Sequence, residues 1–177
     1  MIGCHPAQLV KTCTDGTDCR VVNQPEDHLG SWLSHKFKYK AASRFEVVTS
    51  VSTGYICRIA GPYRAGSYVD ITIFRIGGLK KLLLNCGEKT EADLGYRGEP
   101  DVIELPHEGR PEQFFEKAAV RSRHENVNAK IKKWQCMNVP FRHDINLHGV
   151  FFRAVCTVIQ LQMNRGEIII HQVGYDG

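Results

Sequence analysis

A chain of 177 residues, 42% hydrophobic and 24% charged, suits one globular domain spanning residues 1–177 with a substantial core, and its composition excludes general disorder. The formal net charge of +4 allows an acidic partner, nucleic acid included, without demanding one. The seven cysteines are an odd number with no CxxC pair, which argues against a zinc ribbon and a secreted disulfide scaffold and points to a reducing intracellular compartment. The N-terminus, Met1-Ile2-Gly3-Cys4-His5-Pro6, lacks the basic start and apolar core of a signal peptide. The longest apolar run, near 150–161, is broken by Arg153 and Gln160 and is too short to span a bilayer, so no membrane is expected.

In chain order, residues 8–14 read as a strand ending at Asp15, and Cys19-Arg20-Val21-Val22 as its hairpin neighbour across an Asp-Gly-Thr turn. Residues 23–34 read as a loop with one helical turn. Residues 35–40, His-Lys-Phe-Lys-Tyr-Lys, alternate basic with aromatic or polar side chains. They suit an exposed strand charged on its outer face, or a basic ribbon against phosphates through Lys36, Lys38 and Lys40. Segments 44–51 and 55–60 form the clearest hairpin, joined by Ser52-Thr53-Gly54, and 61–67 follows as a loop. Asp70 stands where a helix N-cap belongs, before helical pieces at 71–75 and 79–84. A short strand, 89–92, delivers Asp93 to a strand end, where Gly95 and Gly98 let the backbone turn. A Pro- and Gly-bearing connection runs to Arg110; Pro111 then opens a long helical pattern to about Met137. After a loop at 138–147, an apolar helix at 148–164 closes the pattern, with Gly166 at C′. Hairpins first, then helices around one more strand, predict a mixed α/β layer fold.

The chemistry centres on Asp93. A carboxylate at the open end of a strand can hold a cation over a cleft, but a hard divalent metal needs several oxygen ligands. Asp15 and Glu125 are the best partners. On an ideal helix Arg121, Glu125 and Lys132 fall within roughly 60° of one another, while Val127, Ile131 and Trp134 form an apolar stripe elsewhere. The bland alternative is a solvated helix with an ordinary Arg121–Glu125 ion pair. Asp18 reads as a turn residue pairing with Arg20 or the backbone, and Asp70 as the helix cap. Cys136, His143, His148 and Cys156 match no compact zinc motif. Arg142-His143-Asp144 suits a loop tie, with Asn146 or a neighbour capping the last helix.

The set Thr14-Asp15-Gly16-Thr17-Asp18, Ser34-His35-Lys36-Phe37, Asp70-Ile71-Thr72-Ile73-Phe74, Ala92-Asp93-Leu94-Gly95-Tyr96-Arg97-Gly98 and His124-Glu125-Asn126-Val127-Asn128 resembles the DDE-superfamily endonuclease domain of PIF/Harbinger-like and related transposases. Phe141-Arg142-His143-Asp144 and His148-Gly149 extend the likeness. It implies an RNase H-like α/β fold: a central mixed sheet with early β-hairpins, flanked by helices. It also implies metal-dependent cutting and joining of DNA with two Mg²⁺ or Mn²⁺ ions held by Asp15, Asp93 and Glu125. Arg121, Lys132, Arg97, Lys36 and Lys38 would contact phosphate. Ala118 and Leu94 depart from the family's usual tyrosine and basic residue. The family's N-terminal DNA-binding region is not expected in 1–177, so recognition of transposon ends would fall to a partner protein or a homo-oligomer. The setting would be intracellular, nuclear in a eukaryote. The alternative is a domesticated, transposase-derived DNA- or protein-binding module without catalysis.

Overall fold

A computed structural model of the chain describes residues 10–22, 29–106 and 114–167. Its organising element is β1 (Val10–Arg20), an eleven-residue strand inside a six-stranded mixed sheet. On one side β1 pairs antiparallel with β3 (Lys40–Ser50), which pairs in turn with β4 (Ile56–Arg64) and, at its first residues, with β2 (Leu33–Ser34). On its other side β1 pairs in parallel with β5 (Lys89–Glu91), and β5 in parallel with β6 (Ile103–Glu104). The helices are α1 (Leu29–Trp32), α2 (Asp70–Ile76), α3 (Leu79–Cys86), α4 (Phe114–Lys132), α5 (Gln135–Asn138) and α6 (Ile145–Asn164). The architecture is therefore mixed α/β, a mixed sheet flanked by helices, as expected.

Strand alternation sorts the side chains into two layers. Cys13, Asp15, Thr17 and Cys19 of β1 share a face with their directly opposed partners on β3, Thr49, Val47, Phe45 and Ser43. There Cys19, Phe45 and Val47 pack with Val127 and Ile131 of α4, Met137 of α5, and Phe152, Val155, Cys156, Ile159 and Met163 of α6. Phe45 stacks on Phe152 with ring centroids 3.8 Å apart. The opposite face packs Val48 against Phe74 of α2, Leu79 and Leu83 of α3, and Tyr96. The sheet thus lies between two helical layers.

Several sequence-based expectations are corrected. The Asp-Gly-Thr segment is no turn: β1 continues through it, with Asp15, Gly16 and Thr17 paired to Val47, Glu46 and Phe45. A glycine that looks like a turn signal here serves close approach inside a strand. Residues 35–40 are not an edge strand. His35–Phe37 is a 3-10 turn followed by Lys38 and Tyr39 in the left-handed region, at φ 51° and 60°. β4 runs on through the Gly61-Pro62 segment to Arg64, where a loop was expected. β6 lies in the stretch read as a plain connection; at two residues it is too short to show a period. α4 ends at Lys132 rather than near Met137, and Trp134 is an extended residue before α5, not part of the α4 stripe. The helix start at Pro111 and the first residues of the 8–14 strand lie outside the described residues.

Helix ends follow local chemistry. Asp144 is the N-cap of α6, its carboxylate accepting from the Asn146 amide at 3.0 Å. Gly166, at φ 71°, takes the C′ position beyond α6. Asp70 is not a cap: Val69 holds that position and Asp70 is the first helical residue of α2.

Candidate active site

Asp15 lies mid-β1 on the face that α4 covers, and Asp93 directly follows the neighbouring parallel strand β5. Cys13 pairs with Glu91, so two residues further on Asp15 and Asp93 emerge side by side. Glu125 projects from the middle of α4. All three line one open cleft of about 450 Å³, together with Cys13, Thr14, Ala92, Arg121 and His124.

The backbone fixes one oxygen of each strand-borne carboxylate. The Gly16 amide donates to Asp15 Oδ1 at 2.7 Å, and the Gly95 amide donates to Asp93 Oδ1 at 2.8 Å. Among the described residues, the second oxygen of each accepts no hydrogen bond, and Glu125 is exposed without an ion pair. The i,i+4 pair of Arg121 with Glu125 does not form, leaving both side chains directed into the cleft. Burial pushes the Asp15 carboxyl up to about 6; the Lys36 ammonium opposes this, and the Asp93 and Asp70 charges add to it. Burial, rather than like-charge repulsion from the neighbouring carboxylates, is the larger cause.

Of the cations proposed for phosphate, Arg121 lines the cleft. Lys36 reaches its neighbourhood, donating from Nζ to the Gly16 carbonyl at 2.8 Å. Lys132 is corrected: its ammonium is turned onto the β1 backbone, donating to the Asp18 carbonyl and lying 3.2 Å from Cys19 Sγ. Its helical phase is right, but a nearby strand carbonyl captures the long side chain. Arg97 and Lys38 are exposed and do not line this cleft. Asp18 is no turn residue either. It is buried in β1, where Arg44 Nε donates to it at 2.7 Å and Ser34 Oγ also donates. Burial pushes its carboxyl up, but Arg44 and Ser34 outweigh that and hold it below the usual range.

Sequence reasoning overlooked three features. His124, 2% exposed, bonds through Nδ1 to Thr49 Oγ1 at 2.9 Å, and burial pushes its imidazole down to about 4, so it stays neutral at the cleft wall. Reading β1 as one strand would have placed Cys13 and Asp15 together beside it. Glu46 and Glu91 are buried with no hydrogen-bond partner on either oxygen, and burial raises both to about 7. The imagined zinc group dissolves: His148 Nδ1 contacts Ser43 Oγ at 3.1 Å and Cys156 packs in the core. Among the described residues no three His, Cys, Asp or Glu side chains stand close enough to cage a metal ion. None of the described helices is long and apolar enough to cross a membrane. Comparison with family models, curated proteins and solved structures finds no match for the chain.

Proposed function

We propose that this cleft is the active site of a metal-dependent DNA endonuclease or strand-transfer domain of the DDE transposase type, with an RNase H-like fold. One observation carries the reading. Three acceptor-only carboxylates, from β1, the end of the adjacent strand β5 and the facing helix α4, line a single open cleft. The order of three antiparallel strands followed by two parallel to β1, with helices on both faces, supports the fold assignment.

The donor set fits Mg²⁺ or Mn²⁺. Mg²⁺ keeps several waters and takes one or two carboxylates plus substrate phosphate oxygens, so it needs no preformed protein cage. Asp15 and Asp93 each offer an uncommitted oxygen beside one already held by backbone N–H, and Glu125 is uncommitted. When bound, a pair of divalent ions would supply an activated water and stabilise the leaving oxygen of a phosphodiester. The chain's own part is orientation. The Gly16 and Gly95 amides aim the two aspartates, Arg121 offers a planar donor fork to a phosphate, and the neutral His124 packs α4 against β1 without adding charge. Lys36 adds positive charge at the rim, where a DNA backbone would pass.

A binding module without catalysis is the second reading, favoured by the lack of a closed ligand cage among the described residues. Nicking of supercoiled duplex DNA in Mg²⁺ or Mn²⁺ separates the two. Metal-dependent nicking is expected from the parent chain, and Asp93→Asn should abolish it while DNA binding persists, because no basic group is removed. An Asp93→Asn variant that cuts like the parent would overturn the assignment.

A further inference from the structure

Asp70 lies behind the cleft, not in it. Strand alternation turns Asp15 toward α4 and Gly16 toward the α2 layer. A Cβ on Gly16 would overlap Asp70 Oδ1, closer than real Cβ atoms approach anything. A Cβ on Gly95 would sit 3.2 Å from Asp70 Oδ2 and 2.9 Å from Asp93 Oδ1. One carboxylate therefore rests against both glycines. These are the residues whose amides hold Asp15 Oδ1 and Asp93 Oδ1. Asp70 is itself anchored: it opens α2, and Arg44 Nη1 lies 3.3 Å from its Oδ1. Arg44 is in turn fixed by Asp18, at 2.7 Å from Nε to Oδ1.

From this chain of contacts we infer that Asp70 is a positioning residue of the cleft, seating the Gly16 and Gly95 peptides that aim Asp15 and Asp93. The inference rests on the metal-dependent reading of the cleft. Its physical content is that two ligands arriving from separate strands need a common reference, and Asp70 spans both. Its negative charge, set behind the glycine that follows Asp15 and the glycine two places after Asp93, also favours a cation in front of them. Groups one step behind metal ligands commonly change affinity by about 10–100-fold when removed.

The test is calorimetric titration with Mn²⁺ on the whole chain, each variant also followed by thermal melting. Asp70→Asn keeps the shape and removes the charge; Gly16→Ala keeps every charge and displaces the carboxylate from its seat. Both are expected to weaken Mn²⁺ binding about tenfold or more. A role confined to holding α2 would lower the melting temperature and leave affinity on the folded protein unchanged. If Asp70→Asn binds Mn²⁺ within about twofold of the parent, the role is overturned, whether or not Gly16→Ala folds. Asp93→Asn serves as the reference. If the parent and Asp93→Asn bind alike, the metal reading of the cleft falls and the role of Asp70 falls with it. If they differ while Asp70→Asn matches the parent, only the role of Asp70 is lost.

Discussion

Asp15 shows how one strand position combines cost and use. Its carboxyl is held at about 6 by burial, so at neutral pH the folded chain carries a charge it would shed in mild acid. At the proposed metal site a divalent cation would have to displace that proton below pH 6, and affinity for Mn²⁺ should therefore rise between pH 5 and 7.5. Titrations at the two values check this; equal affinities would contradict it. Glu46 poses the same problem without the use. Its carboxyl, raised to about 7, keeps its proton longer in the folded state than in the unfolded one. Stability on this account falls as pH rises from about 4.5 through 7 and is not penalised below that window. Glu46→Gln, which removes the charge and keeps the volume, should raise the melting temperature at pH 8 and change it little at pH 4.5. A gain equal at both values would show that the ionised form is not what burial penalises.

Among the elements, α6 carries the heaviest load. Phe152, Val155, Ile159 and Met163 form the floor beneath β3, and Phe152 stacks directly on Phe45. Phe152→Ala should cost about 3–5 kcal/mol, since the sheet above cannot collapse into the space left. Its start is tuned by one side chain. Asp144→Ala removes the acceptor for the Asn146 amide and should cost about 1 kcal/mol, which lowers the melting temperature of a chain this size by about 2–4 °C. Denaturant melts of the two variants check the order. A cap variant as damaging as the core variant would mean that Asp144 does more than end a helix. The alternation of β1 matters in the same way: it sends Asp15 into the cleft and Gly16 to Asp70, so a one-residue slip would exchange them.

At the scale of the molecule, the expected partner is a polyanion met by surface cations. Lys36, Lys38, Lys40 and Arg97 are all exposed. Phosphate contacts position DNA without reading it. Binding of duplex DNA should be weakly selective and should fade steeply between 50 and 200 mM salt by counterion release, with a log–log slope that counts the contacts. Fluorescence anisotropy across that range measures it, and salt-insensitive binding would point to apolar or base-specific contacts instead. Lys132 should contribute little to the slope, because its ammonium is already engaged by the Asp18 carbonyl.

Much of this protein was legible in residue order. The β3–β4 hairpin, the α2 and α3 pieces, the short strand before Asp93 and the apolar α6 all follow from periods of 2 or 3.6 and from glycine punctuation. The nominated carboxylates Asp15, Asp93 and Glu125 line one cleft, although Asp15 stands in the middle of β1 and not at the strand end that the turn chemistry suggested. Other features are decided by contacts between distant segments. Asp15-Gly16-Thr17 has turn chemistry, yet pairing with β3 on one side and support by Asp70 on the other hold it extended. Asp18 and Asp70 look like local turn and cap residues, but Arg44, 26 positions from each of them, draws both into ion pairs. Lys132 has the helical phase of a cleft residue and is captured by a strand carbonyl instead. Local pattern sets which way a backbone can run and which face is apolar. Where a long or charged side chain finds its partner depends on which segments the sheet brings side by side, and only the tertiary structure decides that.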